Sequence, residues 1–132
     1  MDVAAPSILL FAKLILAAFL GVVLGTERAL MANQTAGSRT FGLVSLGSCL
    51  FVLSGVLIDS QFVGLVNFDP ARVLSAVVTG IGFLGAGLII FKGESLHGVT
   101  TAAGLWVAAG IGAVVAFGMY EIAIFTTLLV LA

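Results

Sequence analysis

Five long apolar stretches fill almost the whole chain, and its charges are mostly confined to the gaps between them. Val73 to Phe91 runs 19 residues without a charge, Thr40 to Ile58 another 19, and Gly98 to Tyr120 runs 23. A membrane span needs roughly 20 such residues, whereas a soluble core helix rarely holds more than about 14. Hydrocarbon offers no partner to a backbone amide, so each stretch must bond internally as a helix. Charged residues make up 8% of the chain and apolar ones 61%; soluble domains carry about 25% charge. The sequence therefore reads as an all-α integral membrane protein. It is a polytopic bundle of about five transmembrane helices, a single domain over 1–132, immersed in the lipid bilayer.

Pro6 suits a first-turn position, so the first span is expected over 6–25. Further spans are expected over 40–58, 71–91 and 100–116. Continued to Ala132, the fourth helix would reach about 52 Å at 1.5 Å per residue, far beyond a bilayer of about 30 Å. A break at Phe117 to Glu121 and a fifth helix over 120–132 follow. That helix meets Ala132 without a cap or flanking charge, so either the native chain continues or the helix is short and shielded. The first span lacks a basic lead-in and runs into Glu27 and Arg28 rather than a cleavage site, which marks it as a retained span. Arg28, Arg39 and Lys92 fall in the first and third loops, while Arg72 in the second has acids around it. The Lys/Arg bias then puts the N-terminus outside and the C-terminus in the cytoplasm.

Helices in lipid gain little from the hydrophobic effect and associate through close backbone approach and polar contacts. Small residues mark the expected packing rows: Ala17, Gly21 and Gly25 on the first helix; Gly80, Gly82, Gly85, Ala86 and Gly87 on the third; Gly104, Ala108, Gly112 and Ala116 on the fourth. Gly80 to Gly85 also spells GxGxxG, but a dinucleotide site needs a strand before it and a helix start within it. Mid-span glycines read as packing or as a kink beside a cavity.

A net charge of −1 offers no basic face for nucleic acid. Cys49 stands alone and reads as a small core residue. No Ser/His/Asp set, Cys/His spacing or phosphate loop occurs, so the chain reads as a non-enzyme without cofactor or dedicated metal site.

Five motifs together carry a family resemblance. They are Gly25-Thr26-Glu27-Arg28, Ala36-Gly37-Ser38-Arg39-Thr40, Asp69-Pro70-Ala71-Arg72, the glycine run from Gly80 to Gly87, and Gly98-Val99-Thr100-Thr101-Ala102-Ala103 followed by Leu105-Trp106. In order and spacing the chain resembles the membrane domain of the MgtC/SapB family over residues 13–116. Phe41 stands where members usually have Asn, Ala76 where they have Gln, and His97 where a basic residue is frequent. The cytoplasmic regulatory domain that many members carry lies outside these residues. The resemblance implies a bacterial inner-membrane protein of low-magnesium adaptation, virulence and survival inside host cells. It also implies action through contacts with other membrane proteins, ATP synthase among them, and does not imply magnesium transport.

The same residues have plain physical readings. Glu27 and Arg28 close the first helix and Arg39 opens the second, so both arginines can reach one carboxylate. That cluster either fixes helix ends or binds a partner or anion, and Thr40 stands beside it. Thr100 and Thr101 can cap the fourth helix. Asp69 suits an N-cap with Pro70 at the first helical position, ahead of Arg72. Asp59, Asp69 and Glu121 share one expected face, where a weak magnesium site is conceivable. Lys13, about 10 Å inside the first helix, either snorkels to the headgroups or pairs with a carboxylate such as Asp69. His97 reads as a solvated loop residue, with pH sensing the alternative, and Trp106 as a packing or interface residue. Two functions remain. One is a regulatory interaction protein; the other is a small ion or solute transporter with Lys13, Ser45, Ser48, Ser54, Ser75 and Thr79 lining a path. The small-residue rows make a homodimer the expected oligomer.

Overall fold

The computed structural model describes residues 4–31, 36–65 and 67–132. Five helices follow in order: α1 (Ala4–Met31), α2 (Ser38–Gln61), α3 (Pro70–Leu88), α4 (Val99–Ala116) and α5 (Tyr120–Leu131), with strands β1 (Ile90–Lys92) and β2 (Ser95–His97) between α3 and α4. The first four helices are long and apolar enough to cross a membrane; α5, at 12 residues, is shorter.

Two expected boundaries move. The first helix does not stop at Gly25 but continues through Glu27 and Arg28 to Met31. Glu, Arg, Ala, Leu and Met all favour the helix, so nothing in 27–31 ends it. The polar residues Asn33, Gln34 and Thr35 of the expected first loop lie outside the described residues. The third span ends at Leu88 rather than Phe91, because Ile90 and Phe91 pair with His97 and Leu96 in an antiparallel hairpin. Gly93 (φ 65°) takes the first central position of its two-residue turn, which matches the twist of the strands and needs a residue tolerant of positive φ.

The core lies where α1, α2 and α4 meet. Gly21 and Gly25 of α1 face Phe41, Ser45 and Ser38 of α2, so these two helices run antiparallel. Gly104 and Gly112 of α4 face Phe41 and Ser45, so α4 runs parallel to α2. Phe41, Leu105, Ile111 and Val52 fill the space between them and are the bulkiest fully buried side chains. Helix α3 packs mainly along α4, with Gly85 on Ala102, and 11% of its span is buried against 56% for α4. This difference leaves α3 as the loosely covered member of the bundle.

Candidate functional site

At one level of the bundle a lysine closes the end of a helix. The last turn of α4 is a Schellman turn. Met119 N–H donates to the Val114 carbonyl at 2.9 Å and Gly118 N–H to the Val115 carbonyl at 3.0 Å, with Gly118 left-handed (φ 81°). The Ala116 carbonyl receives Lys13 Nζ at 2.8 Å. A cation on the negative end of a helix dipole is favourable. Lys13 therefore meets a backbone oxygen rather than a carboxylate such as Asp69. Beside it, Cys49 Sγ contacts the Lys13 carbonyl at 3.8 Å, within the core as expected for a small buried residue.

Next to Cys49 on α2, Ser48 Oγ donates to the Ala109 carbonyl at 2.7 Å. Ser45 Oγ is buried and finds no partner among the described residues. The other hydroxyls of the expected polar path look elsewhere. Ser54 and Thr79 are exposed and return their hydroxyls to the Leu50 and Ser75 carbonyls of their own helices. Ser75 is exposed as well. Lys13, Ser45 and Ser48 thus gather at one helix junction, while Ser54, Ser75 and Thr79 lie off it. Sequence reasoning named Ser48 without its role; a serine in an apolar helix, one turn from Ser45, was the available signal. It passed over Phe41 as a structural piece. Its ring covers the glycine face of α4, where a Cβ on Gly104 would stand 3.0 Å from it.

The packing rows divide. Gly21, Gly25, Gly104, Ala108 and Gly112 all lie buried in the α1–α2–α4 contact. On α3 only Gly85 meets another helix; Gly80, Gly82 and Gly87 have open space where a Cβ would stand. The expected α3 packing row is therefore not filled within this chain.

At the α1 C-terminal end, Arg28 Nε pairs with Glu27 Oε2 at 3.5 Å. Arg39 and Thr40 are exposed on the first turn of α2, and Arg39 joins no carboxylate among the described residues. The shared arginine clamp is thus not formed: adjacent on one helix, Glu27 and Arg28 satisfy each other. Neither Thr100 nor Thr101 is the N-cap of α4. Its N-cap is Gly98, left-handed at φ 88°, with no side-chain cap. Thr101 is instead buried in the first turn, with Thr100 exposed beside it. His97 lies in β2 rather than in a loop, with Nε2 at 3.0 Å from Ser95 Oγ. Trp106 is half exposed beside Leu74 and Val77 of α3.

At the α3 N-terminus Asp69 caps the helix as expected. Its Oδ1 accepts from Ala71 N–H at 2.9 Å and Arg72 N–H at 3.4 Å, with Pro70 opening the helix. Among the described residues no three His, Cys, Asp or Glu side chains come together, so Asp59, Asp69 and Glu121 do not form the cluster considered from sequence. Between α2 and α3 lies an open cleft of about 830 Å³, walled by Leu43, Phe51, Val77 and Ile81, with Gly47 and Gly80 at its floor and Arg72 on its lining.

A glycine-joined trio of helices, a lysine-capped helix end and a loosely covered third span, α3, define a polytopic helical membrane protein. The chain belongs to the MgtC family, which it matches over residues 14–132. It is 41% identical over 121 residues to the protein named putative magnesium transporter YhiD of Escherichia coli K12, covering 90% of this chain and 56% of that one. It is 37% identical over 119 residues to protein MgtC of Salmonella typhimurium LT2, covering 90% and 48%. An uncharacterized protein of Haemophilus influenzae is 33% identical over 128 residues, covering 94% of this chain and 53% of the relative. The chain thus spans about half the length of the relatives it matches. No solved structure matches it.

Proposed function

We propose that the chain is the membrane-spanning part of a bacterial inner-membrane protein of magnesium homeostasis, acting through contacts with other membrane proteins and not by catalysis. The observation that carries this reading is the family match across 14–132, joined by relatives whose names are MgtC and putative magnesium transporter. Direct contact is favoured by the core itself. Gly21, Gly25 and Gly112 leave no room between α1, α2 and α4 even for a methyl group, so a hydrated ion has no passage there. Arg39, exposed and unpaired among the described residues, is the candidate contact at the α1 C-terminal end, with Arg28 and Glu27 nearby. By the Lys/Arg bias that end faces the cytoplasm, with the N-terminus outside. Low-magnesium growth and survival inside host cells are the settings in which this role acts. ATP synthase is the candidate partner and a homodimer the candidate assembly.

The test combines growth and co-purification. A strain lacking the protein should regain growth in low magnesium with the wild-type chain in its full-length context, and that chain should retain a membrane complex through purification. Arg39→Ala should lose both. Transport is the second reading, favoured by the name of the Escherichia coli relative. Magnesium flux into vesicles holding only the purified protein would establish it and displace the contact reading.

A further inference from the structure

The cleft between α2 and α3 belongs to none of the roles above, and its shape and single charge point to one class of occupant. Its lining residues on α3 run from Arg72 to Leu84. Twelve helical steps at 1.5 Å make this about 18 Å. That is close to one leaflet of hydrocarbon, half of about 30 Å, and too short for a helix that must cross both. The walls are aliphatic and aromatic apart from Thr40, Ser48 and Arg72. Ser48 lines the cleft, but its hydroxyl is committed to the Ala109 carbonyl. Gly47 and Gly80 leave open space on the two facing helices, which gives a narrow chain access down to the backbone.

Arg72 lines the cleft at the N-terminal end of α3. Its guanidinium has no partner among the described residues. It sits three residues into α3, at the positive end of the helix dipole, where a cation is unfavourable and an anion favourable. Asp69 is near, but its carboxylate accepts from the Ala71 and Arg72 amides and forms no ion pair with the guanidinium. An apolar trough one leaflet deep, with an unpaired guanidinium at its mouth, matches an acyl chain ending in a phosphate. Guanidinium and phosphate pair in two-point geometry.

We infer that the α2–α3 cleft holds an anionic phospholipid of the surrounding bilayer, its acyl chain along Val77 and Ile81 and its phosphate on Arg72. This site stands apart from the magnesium role and does not depend on it. The lipid completes the cover that α3 lacks within the chain.

The test is native mass spectrometry of the purified protein with phosphatidylglycerol or phosphatidylcholine of identical acyl chains. The wild type should retain one phosphatidylglycerol per chain, with about a five- to tenfold preference over phosphatidylcholine. Arg72→Gln should reduce phosphatidylglycerol to the phosphatidylcholine level; Arg72 is exposed, so the fold is spared. Gly80→Leu, filling the trough, should remove both lipids, whereas Gly82→Leu, outside the cleft, should remove neither. Equal retention of the two lipids by the wild type, or no effect of Arg72→Gln, would overturn the inference. So would efficient cross-linking between copies through Gly80→Cys in native membranes, which would give the cleft to a second chain.

Discussion

Lys13 Nζ on α1 donates to the Ala116 carbonyl at the end of α4, 103 residues away in sequence, at 2.8 Å. The Schellman turn occupies the carbonyls of Val114 and Val115, and the lysine serves the next one. A charge that is costly inside a span thus meets the helix end that most favours it. Replacing it leaves that carbonyl without this donor. Lys13→Met should lower unfolding stability in detergent by about 1–3 kcal/mol, and Lys13→Arg should recover part of the loss. Thermal unfolding followed by circular dichroism reads both. A Lys13→Met protein as stable as the wild type would show that the contact carries no net weight.

The α2–α4 contact admits no Cβ at Gly112, where the Ser45 backbone carbonyl stands in its place. Gly112→Ala should separate the two helices and cost about 1–3 kcal/mol through overpacking. Two residues away, Gly110 faces open space. Gly110→Ala should be neutral or gain up to about 1 kcal/mol from helix propensity. The opposite signs of two identical substitutions in one helix are the observable.

Two serines of α2 should also respond differently. Ser48 donates across to the Ala109 carbonyl, and hydrogen bonds between spans average about 0.6 kcal/mol. Ser48→Ala should cost about that much. Ser45 Oγ is buried without a partner, and an unsatisfied buried hydroxyl is itself unfavourable. Ser45→Ala should therefore be neutral or stabilising in the same unfolding assay.

Asp69 holds the first turn of α3 through two backbone amides. Asp69→Ala should cost about 1 kcal/mol at that helix end, and Asp69→Asn much less, since Asn caps as well as Asp. Because α3 is the least covered span, the loss should appear as faster local amide exchange over 71–74, not as global unfolding. Uniform acceleration across all five helices would contradict this view of α3 as a separate, weakly held element.

Much of the architecture was legible in the residues. Charge-free runs of span length leave no choice but helices, because the bilayer offers backbone groups no other partner. The break between α4 and α5 followed from length alone, and the cap at Asp69 from local chemistry that acts within three residues. The hairpin after α3 was not read. Ile90, Phe91 and Leu96 are apolar enough to prolong a span, and only their pairing across Gly93 gives them a different end.

The sequence by itself determined the helical spans, the cap at Asp69 and the family, since each depends on hydropathy or spacing along the chain. Tertiary structure decided which small residues carry the packing. Gly80 and Gly112 look alike in sequence, yet one faces open space and the other a serine backbone. It also decided that Lys13 meets a helix end rather than a carboxylate. Both outcomes depend on how far each helix is rotated and shifted against its neighbours, and no local property of a lysine or a glycine encodes that.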